Sequence, residues 1–239
     1  SEHFSIWSLI NGNKYKNFEK IYLTASGGPF RKYPINQFKN ITPEKALKHP
    51  NWSMGKKISI DSATMMNKVF EVIEAKKIFD LKYDQLQILI HPKSYLHAIV
   101  KFNNGLIKLL MHDTDMTIPI FNSLYQIGSK TIKSKKLDLV VLNNLELNYV
   151  DLKRFPAIRI IKKLQDKDSL FETVIISAND TLVNMFLKNK INFTDISKIL
   201  LKTINRPEFK KYKKLIPKNP QQIANLADYV SLKIKAMSV

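Results

Sequence analysis

The residues of this sequence that are best suited to chemistry lie between Asp61 and Glu71. Ser62, Asn67 and Lys68 bring a hydroxyl, an amide and an ammonium group close together along the chain. Such groups bind a phosphate well beside a helix N-terminus, where backbone N–H groups and the positive end of the helix dipole also attract anions. Glu71, at position i+3 from Lys68, adds a carboxylate about one helical turn further on. This segment is therefore a candidate anion site with a carboxylate beside it.

The elements that must position these groups are predicted to be a strand that runs directly into a helix. Residues 58–60, Ile-Ser-Ile, are typical of a short buried strand, and Asp61, Ser62 and Thr64 are possible helix caps. Apolar residues then recur at helical spacing: Met65, Met66, Val69, Val72, Ile73 and Phe79. The alternative is an ordinary amphipathic helix with solvated charges, in which Glu74 pairs with Lys77.

Further strands are predicted on both sides of this segment. Residues 20–26 are rich in strand formers and lead into Gly27-Gly28, which favours either a close approach to a ligand or a simple turn. Residues 86–90 predict a strand that ends at His91. The sequence Asn103-Asn104-Gly105 predicts a hairpin between strands at 95–102 and 106–112.

Thr42 and Pro43 predict an early helix start. Helical patterns then dominate the second half of the chain, where helices are predicted after Pro156, over 169–187, over 194–204 and from Pro220. Thr194 and Asp195 are the expected caps of the third of these. We predict an α+β fold with a small mixed sheet, helices on one side of it, a linker and a helical bundle. The predicted boundaries are 1–125 for the sheet domain, 126–150 for the linker and 151–239 for the bundle.

Composition narrows the possible functions. The chain has 239 residues, no cysteine and a formal net charge of +19. Disulfides and thiolate metal sites are therefore excluded, and no apolar run approaches the ~20 residues of a membrane span. A basic nucleic-acid-binding module remains an alternative, but the lysines are spread over the whole chain, so we expect no nucleic-acid partner. We expect a soluble intracellular protein without a membrane partner, in the cytoplasm of a bacterium or in a plastid-type organelle of a eukaryote.

Three stretches, at 23–31, 49–57 and 61–68, occur in an order and spacing that closely resemble 1-deoxy-D-xylulose 5-phosphate reductoisomerases. The resemblance continues through 90–94, Asp115-Met116, 154–156 and 193–196, and it covers essentially the whole chain. It is strong to about residue 120 and weaker beyond that point.

The resemblance implies a set of functional residues. Glu2 and Glu71 match metal-binding glutamates, and His97 matches a position near the site. Trp52 and Met54 match a flap that closes over the substrate, and Gly55 matches a residue that touches NADPH. Lys68 is also implied in catalysis, together with the two glutamates. The matched substrate ligands are Ser1, Glu2, Ser26, His49, Ser62, Asn67, Lys68 and Glu71.

The family's chemistry accounts for these residue types. Its members are understood to rearrange a phosphorylated sugar by retro-aldol and aldol steps and then reduce the product with NADPH. A divalent metal, Mn²⁺ or Mg²⁺, held by carboxylates suits the chelation of substrate oxygens. The resemblance also implies a homodimer formed through the sheet domain.

The sequence departs from the family pattern at several positions that bear on activity. The aspartate expected directly before Ser1 and the family's NADPH-binding domain are absent from this sequence, and Val69-Phe70 stands where Gly-Leu is usual. Asp180 replaces a glutamate. We expect this chain alone to be inactive, and NADPH turnover by it would contradict that expectation. The main alternative is a non-catalytic remnant that acts as a binding or structural protein.

Overall fold

The computed structural model describes residues 1–11, 18–49, 54–125 and 130–237. These residues form two compact units that interleave along the chain. One unit takes the described residues of Ser1–Gly27 and Phe70–Val150, and the other takes those of Gly28–His49, Ser53–Val69 and Asp151–Val239. The domain boundaries predicted at 125 and 150 stay a prediction.

The first unit contains a five-stranded mixed sheet. Its strands are β1 (Phe18–Ala25), β2 (Leu86–Ile90), β3 (Leu96–Phe102), β4 (Ile107–Met111) and β5 (Asn148–Tyr149), in the order β4-β3-β1-β2-β5. Strands β1 and β2 are parallel, and the other three pairings are antiparallel. Helix α1 (Glu2–Ile10) packs on β3 and β4. Short helices α5 (Thr117–Leu124) and α6 (Leu139–Asn143) and most of helix α4 (Met66–Ile78) also belong to this unit.

Local signals predicted most of this sheet correctly. Strand β2 spans the predicted residues, and β5 comes from the segment that we had treated as a linker. The β3–β4 hairpin turns at Gly105, whose φ of 84° is a left-handed conformation that glycine adopts without strain. The carboxylamide of Asn104 accepts a hydrogen bond from the Leu106 N–H at 3.1 Å and stabilises the turn. The hairpin prediction is confirmed.

The parallel pair β1–β2 brings two motif residues to one edge of the sheet. Ala25, the last residue of β1, pairs with Ile90, the last residue of β2. The His91 N–H donates to the Ala25 carbonyl at 2.7 Å, so Ser26 and His91 both follow strands that end side by side. Ligands commonly bind beyond the carboxyl ends of parallel strands.

The second unit is built from helices. They are α2 (Pro43–Ala46), α3 (Lys56–Thr64), the start of α4 (Met66–Ile78), α7 (Phe171–Leu187), α8 (Phe193–Ile204), α9 (Pro207–Lys210) and α10 (Pro220–Met237). Four short 3₁₀ segments occur in the described chain at Ile35–Asn40, Tyr83–Gln85, Pro156–Lys163 and Lys211–Lys214. Phe30, Phe38, Phe186 and Phe193 form an aromatic core in this unit, with neighbouring ring centroids 5.2–6.1 Å apart.

The prediction of a strand at 58–60 was wrong. These residues lie inside helix α3, where Ser59, Ile60 and Ala63 are buried. Residues 59, 60 and 63 share one helical face, and α3 packs on α7 in the same unit. Tertiary packing here outweighs the strand preference of β-branched residues, which is only a weak bias.

The caps predicted for α8 agree with the structure only in part. Asn192, not Thr194, caps α8, and the Asp195 carboxylate accepts the Asn192 N–H at 3.0 Å, as in a capping box. The early helix start is confirmed, because the Thr42 hydroxyl accepts the Lys45 N–H at 3.4 Å. Among the described helices, none has the length and apolar content that crossing a membrane requires.

Candidate functional site

Three of the predicted phosphate ligands, Ser62, Asn67 and Lys68, lie around a break between two helices. Helix α3 ends at Thr64, and α4 begins at Met66 after the single residue Met65, which has φ 64° and ψ 11°. This left-handed conformation costs a non-glycine residue about 1–2 kcal/mol. Ser62 lies in the last turn of α3, whereas Asn67 and Lys68 lie in the first turn of α4. The predicted helix N-terminus is present, but a helix, not a strand, precedes it.

Lys68 is the most buried of these ligands. Its residue surface is 7% exposed, while Ser62 and Asn67 are half-buried. Burial disfavours an ammonium charge, so this position favours an anionic partner. The Lys68 backbone N–H donates to the Met65 carbonyl at 3.2 Å, and the Met66 N–H donates to the Thr64 hydroxyl at 3.4 Å. These bonds determine the direction of the first turn of α4.

Gly28 supports this region by close backbone packing. It has φ +63°, and a Cβ atom placed on it would lie 2.8 Å from the Ser62 carbonyl oxygen and 3.2 Å from the Ala63 Cα. Only glycine fits there without displacing the end of α3. The glycine pair was expected to allow either a close approach to a ligand or a simple turn. In the structure, Gly28 closely approaches the protein's own backbone.

Asp61, predicted as a helix cap, instead anchors α3 to α7. Its buried carboxylate accepts hydrogen bonds from Lys57 Nζ and from Asn179 Nδ2, each at 2.7 Å. Lys57 Nζ also lies 3.0 Å from an Asp180 carboxylate oxygen. Burial raises the pKa of the Asp61 carboxyl, and the bonds from Lys57 and Asn179 oppose this shift. Burial would lower the pKa of Lys57, but the two carboxylates outweigh it and raise the pKa.

The two predicted metal-binding glutamates belong to the first unit. Glu2 opens α1, and its carboxylate accepts the Ser1 hydroxyl at 2.9 Å. The next residue, His3, reaches α4, where its Nε2 lies 3.0 Å from the Glu71 carbonyl oxygen and 3.5 Å from a Glu74 carboxylate oxygen. The start of α1 and the middle of α4 are therefore in direct contact. Lys68 and Glu71 lie one turn apart on the same helix.

A stacked pair of histidines accompanies Glu2. The rings of His97 and His112 lie 3.7 Å apart with planes 16° from parallel. Burial, followed by the charge of His112, lowers the pKa of His97 to about 4, while Glu2 opposes the shift. Burial also lowers the pKa of His112. Both rings are therefore neutral at pH 7, so they can act as polar, uncharged support beside a carboxylate.

The other predicted residues are placed as follows. Ser26 is half-buried and directly follows β1, at the carboxyl edge of the parallel strands. His49 is half-buried, and burial lowers its pKa, so it is neutral at pH 7. Gly55 is the exposed N-cap residue of α3, and Met54 precedes it. Trp52 lies outside the described residues.

Glu2 and Glu71, the predicted metal ligands, carry the side-chain type that suits a hard divalent cation. Carboxylate oxygens are the ligands that Mg²⁺ and Mn²⁺ prefer, and Mg²⁺ is commonly held by one or two carboxylates, with substrate oxygens and water at the other positions. In the part of the chain that the structure describes, no three His, Asp or Glu side chains form a closed metal cluster.

Sequence reasoning missed the groups that support the site. Lys57 and Asp61 are four residues apart in one helix, a spacing that predicts an ion pair once the helix is recognised. Asn179 lies 118 positions from Asp61, and no local signal connects them. Arg154 was noted only as part of a motif, yet it contacts two carbonyl groups that precede the site in sequence.

By its fold and its candidate site residues, the chain is an α+β protein with a candidate phosphate-binding helix and two candidate metal-binding glutamates. Two family models match it. The model described as the 1-deoxy-D-xylulose 5-phosphate reductoisomerase C-terminal domain matches residues 1–79. The model described as the DXP reductoisomerase C-terminal domain matches residues 111–237. The chain belongs to the 1-deoxy-D-xylulose 5-phosphate reductoisomerase family.

Relatives in sequence carry the same name. The 1-deoxy-D-xylulose 5-phosphate reductoisomerase of Pelagibacter ubique (strain HTCC1062) is 67% identical over 239 residues, which is 100% of this chain and 62% of the relative. That of Clostridium novyi (strain NT) is 42% identical over 214 residues, covering 89% of this chain and 55% of the relative. The chain thus spans roughly three fifths of the length of these relatives.

Solved structures of reductoisomerases also match the fold of this chain. A crystal structure of DOX-P reductoisomerase in complex with NADPH, fosmidomycin and magnesium matches with a TM-score of 0.88 and 32% identity, over 100% of this chain and 62% of that one. The Zymomonas mobilis enzyme in complex with NADPH matches with a TM-score of 0.84 and 31% identity, over 99% of this chain and 60% of that one. The predicted α+β fold with a helical C-terminal region is confirmed.

Proposed function

We propose that this chain is the catalytic and C-terminal part of a 1-deoxy-D-xylulose 5-phosphate reductoisomerase. The whole protein would rearrange and reduce 1-deoxy-D-xylulose 5-phosphate to 2-C-methyl-D-erythritol 4-phosphate with NADPH, in the non-mevalonate route to isoprenoids. The observation that carries this proposal is the 67% identity to the Pelagibacter ubique relative over the whole chain. The preserved ligand types at the helix break of the described site support it.

In this proposal the substrate phosphate binds at the start of α4. Ser62 and Asn67 donate hydrogen bonds from half-buried positions, and Lys68 supplies a charge whose burial strengthens its attraction for the phosphate. Ser26 contributes a further hydroxyl. Binding a non-reacting phosphate orients the sugar for its reaction, because remote contacts reduce the entropy that the reaction must lose.

Glu2 and Glu71 would hold Mn²⁺ or Mg²⁺. When bound, the ion would act as a Lewis acid on the oxygens of the sugar. The protein's part is to fix the two carboxylates, and the His3 contact to the Glu71 backbone and the Ser1 bond to Glu2 serve that purpose. Lys68 and the two glutamates are the proposed catalytic residues. The neutral ring of His49 can hydrogen-bond a sugar hydroxyl without adding charge.

The loop before α3 would close over the substrate and meet the nicotinamide cofactor. Met54 and Trp52 are the proposed flap residues, and the exposed backbone of Gly55 is the proposed contact to NADPH. Apolar residues that cover a bound substrate exclude water and strengthen the polar contacts beneath them.

We further infer a homodimer formed through the sheet. Strand β4 is an edge strand, and Ile107 and Leu109, two residues apart and therefore on one face of it, are 56% and 47% exposed. On α5, the next helix along the chain, Ile120 and Leu124 are exposed as well. Edge strands with apolar side chains are usually covered. We infer a cytoplasmic location from the bacterial origin of the relatives.

Titration calorimetry of the 239-residue chain tests the proposal, first with Mn²⁺ alone and then with 1-deoxy-D-xylulose 5-phosphate in the presence of Mn²⁺. We expect Mn²⁺ to bind, and the sugar phosphate to bind more tightly when Mn²⁺ is present. Glu71→Gln should weaken Mn²⁺ binding about tenfold or more. Glu74→Gln, on the same helix but exposed, is the matched control and should leave it unchanged.

The competing hypothesis of a non-catalytic remnant predicts that neither the metal nor the sugar phosphate binds. Equal effects of the two glutamate variants would also count against the proposal. Salt-sensitive binding to DNA without any binding of the sugar phosphate would instead support the basic-module hypothesis.

A further inference from the structure

Arg154 makes a set of contacts that the proposed chemistry does not use. Its Nη1 donates hydrogen bonds to the carbonyl oxygens of Phe30, at 2.8 Å, and of Tyr33, at 2.5 Å. These residues lie 124 and 121 positions away in the sequence. Its side chain is only 17% exposed. A buried guanidinium that donates to backbone carbonyls fixes the course of the chain at those carbonyls.

The contacts of Arg154 are themselves held in place. The guanidinium lies 5.5 Å from the centre of the Phe38 ring, and Arg154 Nε lies 3.9 Å from an Asp151 carboxylate oxygen. The Asp151 carboxylate also accepts the Arg154 backbone N–H at 3.3 Å. The arginine is therefore oriented from one side by an aromatic ring and from the other by a carboxylate.

The segment that Arg154 holds begins at Gly28. Gly28 packs directly against the Ser62 carbonyl, at a position where even a methyl group would lie 2.8 Å from that oxygen. The Ser62 carbonyl in turn accepts the Met65 N–H at 3.1 Å, in the break between α3 and α4. A shift of the segment 28–33 would therefore be transmitted to the backbone of Ser62 and to the first turn of α4.

We propose that Arg154 is a positioning residue for the phosphate site: it holds the segment 28–33 against the end of α3, so that Ser62 and the start of α4 keep the geometry that a phosphate requires. This role rests on the proposed function, because it presumes that the phosphate binds there. The glutamates of the predicted metal site belong to the other compact unit and should not depend on Arg154.

The test compares Arg154→Ala, Arg154→Lys and the exposed control Arg159→Ala by calorimetry, with Mn²⁺ and with 1-deoxy-D-xylulose 5-phosphate. We expect Arg154→Ala to weaken sugar phosphate binding about tenfold, equivalent to about 1.4 kcal/mol, and to leave Mn²⁺ binding unchanged. Arg154→Lys should not restore affinity, because an ammonium group cannot combine the two carbonyl bonds of Nη1 with the Nε contact to Asp151 and a planar face near the Phe38 ring. Arg159→Ala should bind like the unmodified chain.

Chemical rescue separates positioning from a general loss of structure. Millimolar guanidinium chloride should restore part of the sugar phosphate affinity of Arg154→Ala, whereas it should not improve Lys68→Met. Hydrogen exchange in Arg154→Ala should increase at residues 28–33 and 62–65 and stay unchanged in β1 to β4.

The outcomes distinguish the two proposals. If the unmodified chain does not bind the sugar phosphate, the proposed function fails and the positioning role fails with it. If the unmodified chain binds and Arg154→Ala binds equally well, only the positioning role is overturned. A loss that guanidinium does not reverse, with faster exchange throughout the chain, also overturns it, because Arg154 would then be a general stabilising residue.

Discussion

At the scale of single residues, the chemistry of the site depends on burial as much as on residue type. Lys68 carries an ammonium group at 7% exposure, whereas Lys77 on the same helix is exposed. Removing a charge from water costs several kcal/mol unless a partner compensates for it, and a phosphate is a suitable partner. The two lysines are identical in chemistry but differ in environment. Their comparison therefore isolates what burial contributes.

Lys68→Met should lower the affinity for the sugar phosphate by about 30-fold or more, because one buried charge-assisted bond is worth about 1.5–3 kcal/mol. The free energy of unfolding is measured alongside, so that a loss of affinity can be separated from a loss of structure. Lys77→Met is the matched control. Calorimetry and urea unfolding measure the two quantities, and unchanged affinity would rule out a role for Lys68 in phosphate binding.

His97 should make the protein less stable in mild acid. Its pKa is about 4 in the folded state and 6.5 in the unfolded state, so between these values the unfolded chain binds more protons. The stabilisation is complete above pH 6.5 and is lost as the pH falls toward 4. Lowering the pH from 7 to 5 should therefore reduce the free energy of unfolding by about 2 kcal/mol from this residue.

Urea unfolding at several pH values tests this expectation. His97→Phe keeps an aromatic ring against His112 and should flatten the dependence. His112, whose pKa is also lowered, should leave a smaller slope of the same sign, while Glu2 opposes both shifts. An identical pH profile in His97→Phe would show that other groups cause the dependence.

At the scale of elements, the break between α3 and α4 depends on close backbone contacts. Met65 adopts a left-handed conformation, which costs about 1–2 kcal/mol, and its side chain is buried. The packing of this side chain outweighs the backbone cost. Asp61 anchors α3 to α7, and Gly28 touches the end of α3. These contacts, together with the preferences of the residues in the break, determine the direction in which α4 begins.

Gly28→Ala and Gly105→Ala form a matched pair of substitutions for this region. Both glycines have positive φ, so each alanine should cost about 1–2 kcal/mol of stability. A Cβ at Gly105 meets open space, whereas one at Gly28 meets the Ser62 carbonyl at 2.8 Å. Gly28→Ala should therefore be the more destabilising in urea unfolding. It alone should reduce sugar phosphate affinity, and equal affinities of the two variants would contradict this.

At the scale of the whole molecule, the net charge opposes association of copies of the chain, and exposed apolar surface favours it. The net charge of +19 promotes solubility and repels like copies at low salt, so it opposes self-association except where apolar surface is available. The exposed side chains of β4 and α5 supply such a surface. Any dimer formed there should consequently be favoured by added salt, which screens the repulsion.

Sedimentation velocity should show a dimer of the 27.7 kDa chain at physiological salt, with more monomer at low salt. Leu109→Lys places a further charge in the proposed interface and should shift the chain to monomer, because a buried unpaired charge is costly. Leu232→Lys, the same substitution at an exposed residue of α10 in the other compact unit, should not alter the dimer. A monomer under all conditions would exclude the proposed interface.

The sequence predicted elements whose signals are local. The Asn104-Gly105 turn, strand β2 and the Thr42 cap were all correct, because turns, alternating burial and caps involve residues only a few positions apart. The same reasoning failed at 58–60, where the short Ile-Ser-Ile run is compatible with either a strand or a helix. Packing against α7 decided between them, and periodicity in so short a run contains no information about that partner.

The family, the candidate ligands and their order follow from the motifs alone, because motif residues at characteristic spacings are a local property of the chain. The side chains that support these ligands are visible only in the folded protein. Asn179 reaches Asp61 across 118 positions, and Arg154 reaches Phe30 across 124. Contacts at such separations arise from the packing of whole elements, which no window of sequence describes. Burial also depends on the packing of whole elements. It therefore distinguishes Lys68 from the many other lysines only after the chain has folded.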